Sequence, residues 1–221
     1  MVGRILETGA DVAEGAAFLA RTDPRLAAAL EATGPLPLRR QPDGFSALLS
    51  AIVSQQVSTA AAAAIWARLA AAGATDPAGL AQLDDAALRG CGLSRSKVLY
   101  ARGLAESGLD FVALRQLPDA EVVATLTRLP GVGVWTAEVY AIVSLGRADV
   151  FAAGDLALRE AAARVFGLDR RPSEAALRAQ ARAWSPWRAV AARLLWAQYR
   201  LAPGKDGAAP LPPGSRLAEA G

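Results

Sequence analysis

The chain has 221 residues, 53% hydrophobic and 20% charged, and its 24 basic and 21 acidic side chains leave a formal charge of +3. This composition excludes a disordered chain, and the mild positive balance permits a polyanionic partner without demanding one. A single cysteine, Cys91, and no histidine exclude a disulfide framework, a Cys-based zinc site and a four-cysteine iron–sulfur cluster, and leave acid–base chemistry to Asp, Glu, Lys, Arg, Tyr, Ser, Thr or water.

Read in chain order, nearly every segment has the spacing of a helix. The N-terminal MVGRILETGADVAEG carries acidic residues where an export signal needs an apolar core, so a cytoplasmic protein is expected. Helices are predicted over 12–21 and, opened by Asp23 as N-cap and Pro24 at N1, over 24–32. After a Pro-rich connector, GPLPLRRQPDG, the run FSALLSAIVSQQV places Phe45, Leu48, Leu49, Ile52 and Val53 on one face. Ser58 or Thr59 caps the next helix, which Gly73 ends. This alanine-rich run is the most apolar stretch, but Arg68 interrupts it and no membrane span is expected.

Short helices follow over 77–83 and 85–89, then SRSKVLYARGLAESG and DAEVVATLTRL. Beyond a glycine-rich break come TAEVYAIVSLG, DLALREAAARVFG, SEAALRAQARAW and SPWRAVAARLLWAQYRL. No segment alternates with period two, so the prediction is an all-α fold of ten or so short helices. The stretch 202–221, rich in Pro, Gly and Ala, reads as a flexible tail.

The break itself is LPGVGVWTAEV, residues 129–139. Its glycines permit a tight reversal that presents amides at the start of the second helix, where a phosphate is the usual guest. The same glycines would equally serve an ordinary helical hairpin. Three other features carry similar pairs of readings. Asp155 opens a helix, as a cap or as something more. Ser54, Gln55, Gln56 and Ser58 gather at a helix end, facing a cleft or satisfying the terminus. Trp184, Trp187 and Trp196 have core spacing and are also a ligand platform in outline.

Taken in order, these features resemble the helix-hairpin-helix superfamily of DNA base-excision glycosylases, in particular the DNA-3-methyladenine glycosylase II (AlkA-type) branch. The resemblance covers about 45–199 and rests on FSALLSAIVSQQVS, GLSRSKVLYARGLA, LPGVGVWTAEVYAI, DVFAAGDLALR and WSPWRAVAARLLW. It implies two helical subdomains flanking a DNA- and base-binding cleft, one formed by 1–44 with 151–201 and the other by 45–150, ending in the hairpin.

The resemblance also implies roles. The hairpin at Gly131, Val132 and Gly133, with Thr136, Gln55 and Gln56, would contact DNA, the glycine amides holding a phosphate. Asp155 matches the catalytic aspartate, and Trp135 and Trp196 match positions lining the base pocket. Val139 stands where an aromatic can line that pocket and would widen it. Main-chain carbonyls of Thr127, Leu129 and Val132 match positions that hold a sodium or potassium ion; no other cofactor and no iron–sulfur cluster is implied. The implied partner is double-stranded DNA containing alkylated bases, met by a monomer associated with DNA and not with a membrane.

Two departures from the branch stand out. Long members carry a β-rich N-terminal domain, whereas 44 residues precede Phe45 here, so the compact all-α form is expected. Gln56 occupies the place of an apolar wedge. Strand-nicking branches put lysine where this chain has Trp135, just before Thr136, so no Schiff base is expected. The leading expectation is a monofunctional glycosylase for 3-methyladenine- and 7-methylguanine-type lesions; the rivals are a non-catalytic DNA-binding module that uses Asp155 only as a cap, and a purely structural protein.

Overall fold

In a computed structural model that describes residues 2–202, the chain is helical, with a lone antiparallel bridge between Ile5 and Arg147 and no strand among the described residues. The expected tail lies outside the described residues apart from Ala202. No helix among the described residues is long and apolar enough to cross a membrane.

Side-chain caps start most helices, as the sequence predicts. Helix α1 (Gly9–Thr22) begins with a reciprocal box between Thr8 and Asp11, and α2 (Pro24–Thr33) with Asp23 accepting from the Arg25 amide. Helix α3 (Phe45–Ser54) buries Phe45, Leu48, Leu49, Ile52 and Val53. Ser58 caps α4 (Thr59–Ala71), and Gly73 closes it at φ +71°, which lets Ala74 N–H reach Leu69 O at 2.8 Å. Then come α5 (Pro77–Gln82), α6 (Asp85–Gly90), α7 (Arg95–Glu106), α8 (Phe111–Leu114), α9 (Asp119–Leu126), α10 (Val134–Val143), α11 (Leu156–Val165), α12 (Glu174–Gln180), a 3₁₀ turn (Ala181–Trp184) and α13 (Arg188–Arg200).

Three elements differ from expectation. The single turn α8 has no period to read; Asp110 alone makes it, accepting from the amides of Val112 and Ala113. The run SEAALRAQARAW tightens to 3₁₀ at Ala181, and the buried Trp184 ring stacks on Phe166 at 5.9 Å and meets Phe151 edge-on at 5.4 Å. Helix α13 starts at Arg188 rather than at Ser185.

Among the described residues the chain forms two compact units, one of Gln41–Tyr140 and one of Gly3–Arg40 with residues 141–202. The expected boundaries at 44/45 and 150/151 therefore move to 40/41 and 140/141, and the hydrogen bonds explain why. Gly44 N–H donates to Tyr140 Oη (2.8 Å) and Asp43 pairs with Arg115, which joins 41–44 to the first unit. In the second unit the Arg193 guanidinium donates to Ile142 O, Arg40 to Ser144 O and the Ala189 amide to Ala148 O, which claims 141–150. In the first unit α7 packs against α3, α5 and α6; in the second, α13 packs against α11, α2 and α1.

The segment leading to Asp155 is pinned within the second unit. Asp149 accepts from both Arg188 Nε (2.7 Å) and Nη2 (2.9 Å), and from Ser185 Oγ at 2.7 Å. Burial pushes the Asp149 carboxyl up, but these hydrogen bonds outweigh it and hold it below the usual range. A lowered folded value contributes stability that is complete above the unfolded value of about 4 and is lost as pH falls through the folded value. We expect Asp149→Asn to lower the thermal midpoint at pH 7, and to lose less on going from pH 5 to pH 2 than the wild type does. Melting curves over that range test it, and parallel losses would contradict it.

Candidate functional site

The hairpin is built by progressive tightening. At the end of α9 the amides of Arg128 and Leu129 bond the third residue back, Thr125 O and Leu126 O. Pro130 then lies against Gly103 of α7, where an added Cβ would stand 3.1 Å from Pro130 Cγ. Gly131 has φ +77°, and a Cβ there would fall 2.3 Å from the Tyr100 ring. Only glycine fits this position. Val132 is buried and anchors the loop, and its amide donates to Leu129 O at 3.1 Å.

Gly133 is different. Its φ is not positive and no atom lies within 4 Å of an added Cβ, so nothing in the protein demands glycine there. Its carbonyl accepts from Ala137 N–H (3.0 Å), which makes it the N-cap of α10. The first amides of α10 have no helical carbonyl to bond, and the positive end of the helix dipole lies there. Gly133 brings no side chain of its own between these amides and an approaching anion.

Two residues expected on DNA are committed within the protein. Gln55 Nε2 donates to Gly131 O at 2.9 Å and to Thr136 Oγ1 at 3.2 Å, and Thr136 is buried. They shape the loop from behind. Gln56 is exposed and sits at φ +56°, in the left-handed region that a residue with a side chain rarely takes. Trp135 and Val139, one turn apart on α10, share a face; Trp135 is 36% exposed and Val139 is buried. Among the proposed cation ligands, Leu129 O already accepts from Val132, while Thr127 and Val132 flank it.

Asp155 and Trp196 belong to the other unit. Asp155 ends the buried segment Phe151–Ala153, caps α11 by accepting from Leu158 N–H at 3.0 Å through Oδ1, and is 5% exposed. The cap reading of the sequence is thus correct, and it leaves a buried carboxylate held in place. Trp196 is buried on α13, and its Nε1 has no acceptor among the described residues.

Four residues escaped the sequence reading. Lys97, Tyr100 and Gly103 lie three apart on α7 and touch, respectively, the end of α3, Gly131 and Pro130. Their spacing marks one ridge of a helix, but not what it meets. The Arg128 side chain is exposed just before the hairpin; its place two residues before Pro130 was the available signal.

Comparison with known proteins agrees with this fold. Residues 49–187 match the family model described as HhH-GPD superfamily base excision DNA repair protein. The chain is 29% identical over 167 residues to DNA-3-methyladenine glycosylase 1 of Schizosaccharomyces pombe, covering 72% of this chain and 73% of that one. Among solved structures, a DNA-3-methyladenine glycosidase from Bacillus halodurans superimposes with TM-score 0.75 at 35% identity, over 82% of this chain and 87% of that one. The 3-methyladenine DNA glycosylase of Schizosaccharomyces pombe in complex with abasic DNA also gives TM-score 0.75, at 27% identity over 86% and 98%. With its hairpin, its capped aspartate and a family match spanning most of its length, this chain belongs to the HhH-GPD superfamily of base excision DNA repair proteins.

Proposed function

We propose that the protein is a monofunctional DNA glycosylase that flips alkylated purines, such as 3-methyladenine and 7-methylguanine, out of the duplex and hydrolyses their N-glycosidic bond. The observation that carries this reading is Asp155, a buried carboxylate fixed by its own helix cap in a chain of this family. The three relatives named above carry the name 3-methyladenine glycosylase or glycosidase, which supports the substrate class.

The chemistry suits the residues at hand. Alkylation at N3 or N7 makes the base cationic, so it leaves as a neutral molecule with the bonding electrons and needs no general acid, in keeping with a chain without histidine. The sugar becomes oxocarbenium-like, and the Asp155 carboxylate would stabilise that charge and take the proton that water gives up as it adds to C1′. Trp135, 36% exposed on α10, would offer an aromatic face to the electron-poor base, worth about 0.5–2 kcal/mol by cation–π attraction. Val139, where an aromatic can stand, would leave a wider pocket and a different substrate range.

The amides around Gly133 would take the DNA phosphate, with Gln56 filling the vacated stack. The main-chain carbonyls of Thr127, Leu129 and Val132 would supply neutral oxygens of the kind that hold sodium or potassium, and Leu129 O also accepts from Val132 N–H. The protein would work as a monomer.

Trp135 in place of lysine argues for hydrolysis alone. A duplex with one lesion, incubated with the protein, should break at that site only after hot alkali, and borohydride should trap no protein–DNA adduct. Breakage without alkali together with a trapped adduct would overturn the monofunctional assignment.

A further inference from the structure

Lys97 has no part in the site as the sequence presents it, yet its ammonium sits on the end of α3, at the residue whose side chain binds the hairpin. Nζ donates to Val53 O and to Gln55 O, each at 2.7 Å. These are carbonyls at the end of α3, which lack helical donors and favour a cation. From the other side, the Gln55 side chain is bound to Gly131 O and Thr136 Oγ1. Gln55 is therefore gripped through its carbonyl by α7 and through its amide by the hairpin.

The next residue is Gln56, exposed and left-handed. The Gln55 carbonyl belongs to the peptide that joins it to Gln56, so a flip of that peptide, which would change the Gln56 φ, would swing the carbonyl away from Lys97. A non-glycine residue stays left-handed only where its surroundings over-determine it. Three residues farther along α7, Tyr100 packs against Gly131, so the ridge that fixes the Gln56 turn also seats the hairpin.

We propose that Lys97, acting through Gln55, is a positioning residue for base extrusion: it pre-sets Gln56 in its projecting conformation and holds it in register with the hairpin. The inference rests on the glycosylase reading above. It differs from simple capping of α3 because it predicts a defect that depends on how hard the lesion is to unstack. A lesion in a one-nucleotide bulge is already partly unstacked and has little need of a pre-set wedge.

Single-turnover base release would be measured from a 7-methylguanine paired with cytosine and from the same lesion in a bulge. Lys97→Met should lose about tenfold more on the paired duplex than on the bulge, the size expected for releasing one strained residue. Gln56→Ala should show the same split, and Lys97→Arg, which keeps a cationic donor, should recover most of the paired rate. Equal losses in the two contexts, or no loss, would overturn the inference. Should Lys97→Met fail to fold, Gln55→Ala, which cuts the link to the hairpin, serves in its place with the same expected split.

If the wild type binds DNA but releases no base in either context, the glycosylase reading has failed, and a binding readout then decides the brace. Fluorescence of 2-aminopurine opposite a stable abasic analogue should rise when wild type binds, through unstacking, and rise far less with Lys97→Met at equal occupancy. An equal rise would overturn the proposal.

Discussion

Asp155→Asn should lower single-turnover base release by about two to three orders of magnitude, the usual loss when one preorganised electrostatic group is removed. The substitution isolates the charge. Asparagine is as good an N-cap as aspartate, so α11 keeps its bond to Leu158 N–H, and the buried site keeps its shape. DNA affinity should stay close to wild type, because the proposed phosphate contacts lie on the hairpin. Asp155→Ala adds the loss of the cap, about 1 kcal/mol, and should fall in thermal stability as well as in rate. Rates for the two variants beside their melting curves separate chemistry from folding; a fall in both for Asp155→Asn would make Asp155 a structural residue.

The two hairpin glycines should fail in opposite ways. Gly131→Ala places a methyl group on the Tyr100 ring at a positive φ, and we expect it to destabilise the first unit by about 2–4 kcal/mol. Gly133→Ala meets open space at an ordinary φ, so the protein alone should be as stable as wild type within about 1 kcal/mol. Its DNA affinity should nevertheless fall about tenfold, because the methyl group stands where a phosphate must reach the amides. Equal DNA affinity for Gly133→Ala and wild type would mean that the phosphate docks elsewhere.

Most of the helical frame was legible because its signals are local. Asp23–Pro24, Ser58 and Gly73 each act on neighbours a few residues away, and each stands where its chemistry predicts. The hairpin was legible as a break, but the sequence could not tell that Gly131 answers to Tyr100 while Gly133 answers to nothing in the protein. That distinction depends on a side chain 31 positions earlier. Gln55 and Thr136 illustrate the same limit: polar residues beside a proposed DNA grip invite a contact with DNA, and here they bind each other and the Gly131 carbonyl. Lys97 reads from sequence as one cation on an amphipathic helix, and only the fold brings it to Val53 O and Gln55 O, more than 40 positions away. The domain boundary moved for a like reason, since Arg40, Arg193 and Ala189 reach 142–148 from distant parts of the chain.

The most direct test of the catalytic reading is chromatography of the free base. Methylated duplex DNA would be incubated with wild type or with Asp155→Asn, and the soluble fraction analysed for released purines. The account predicts that wild type releases 3-methyladenine and 7-methylguanine, and that the variant binds the same DNA and releases almost none. No release by wild type that binds the DNA, or equal release by both proteins, would contradict it.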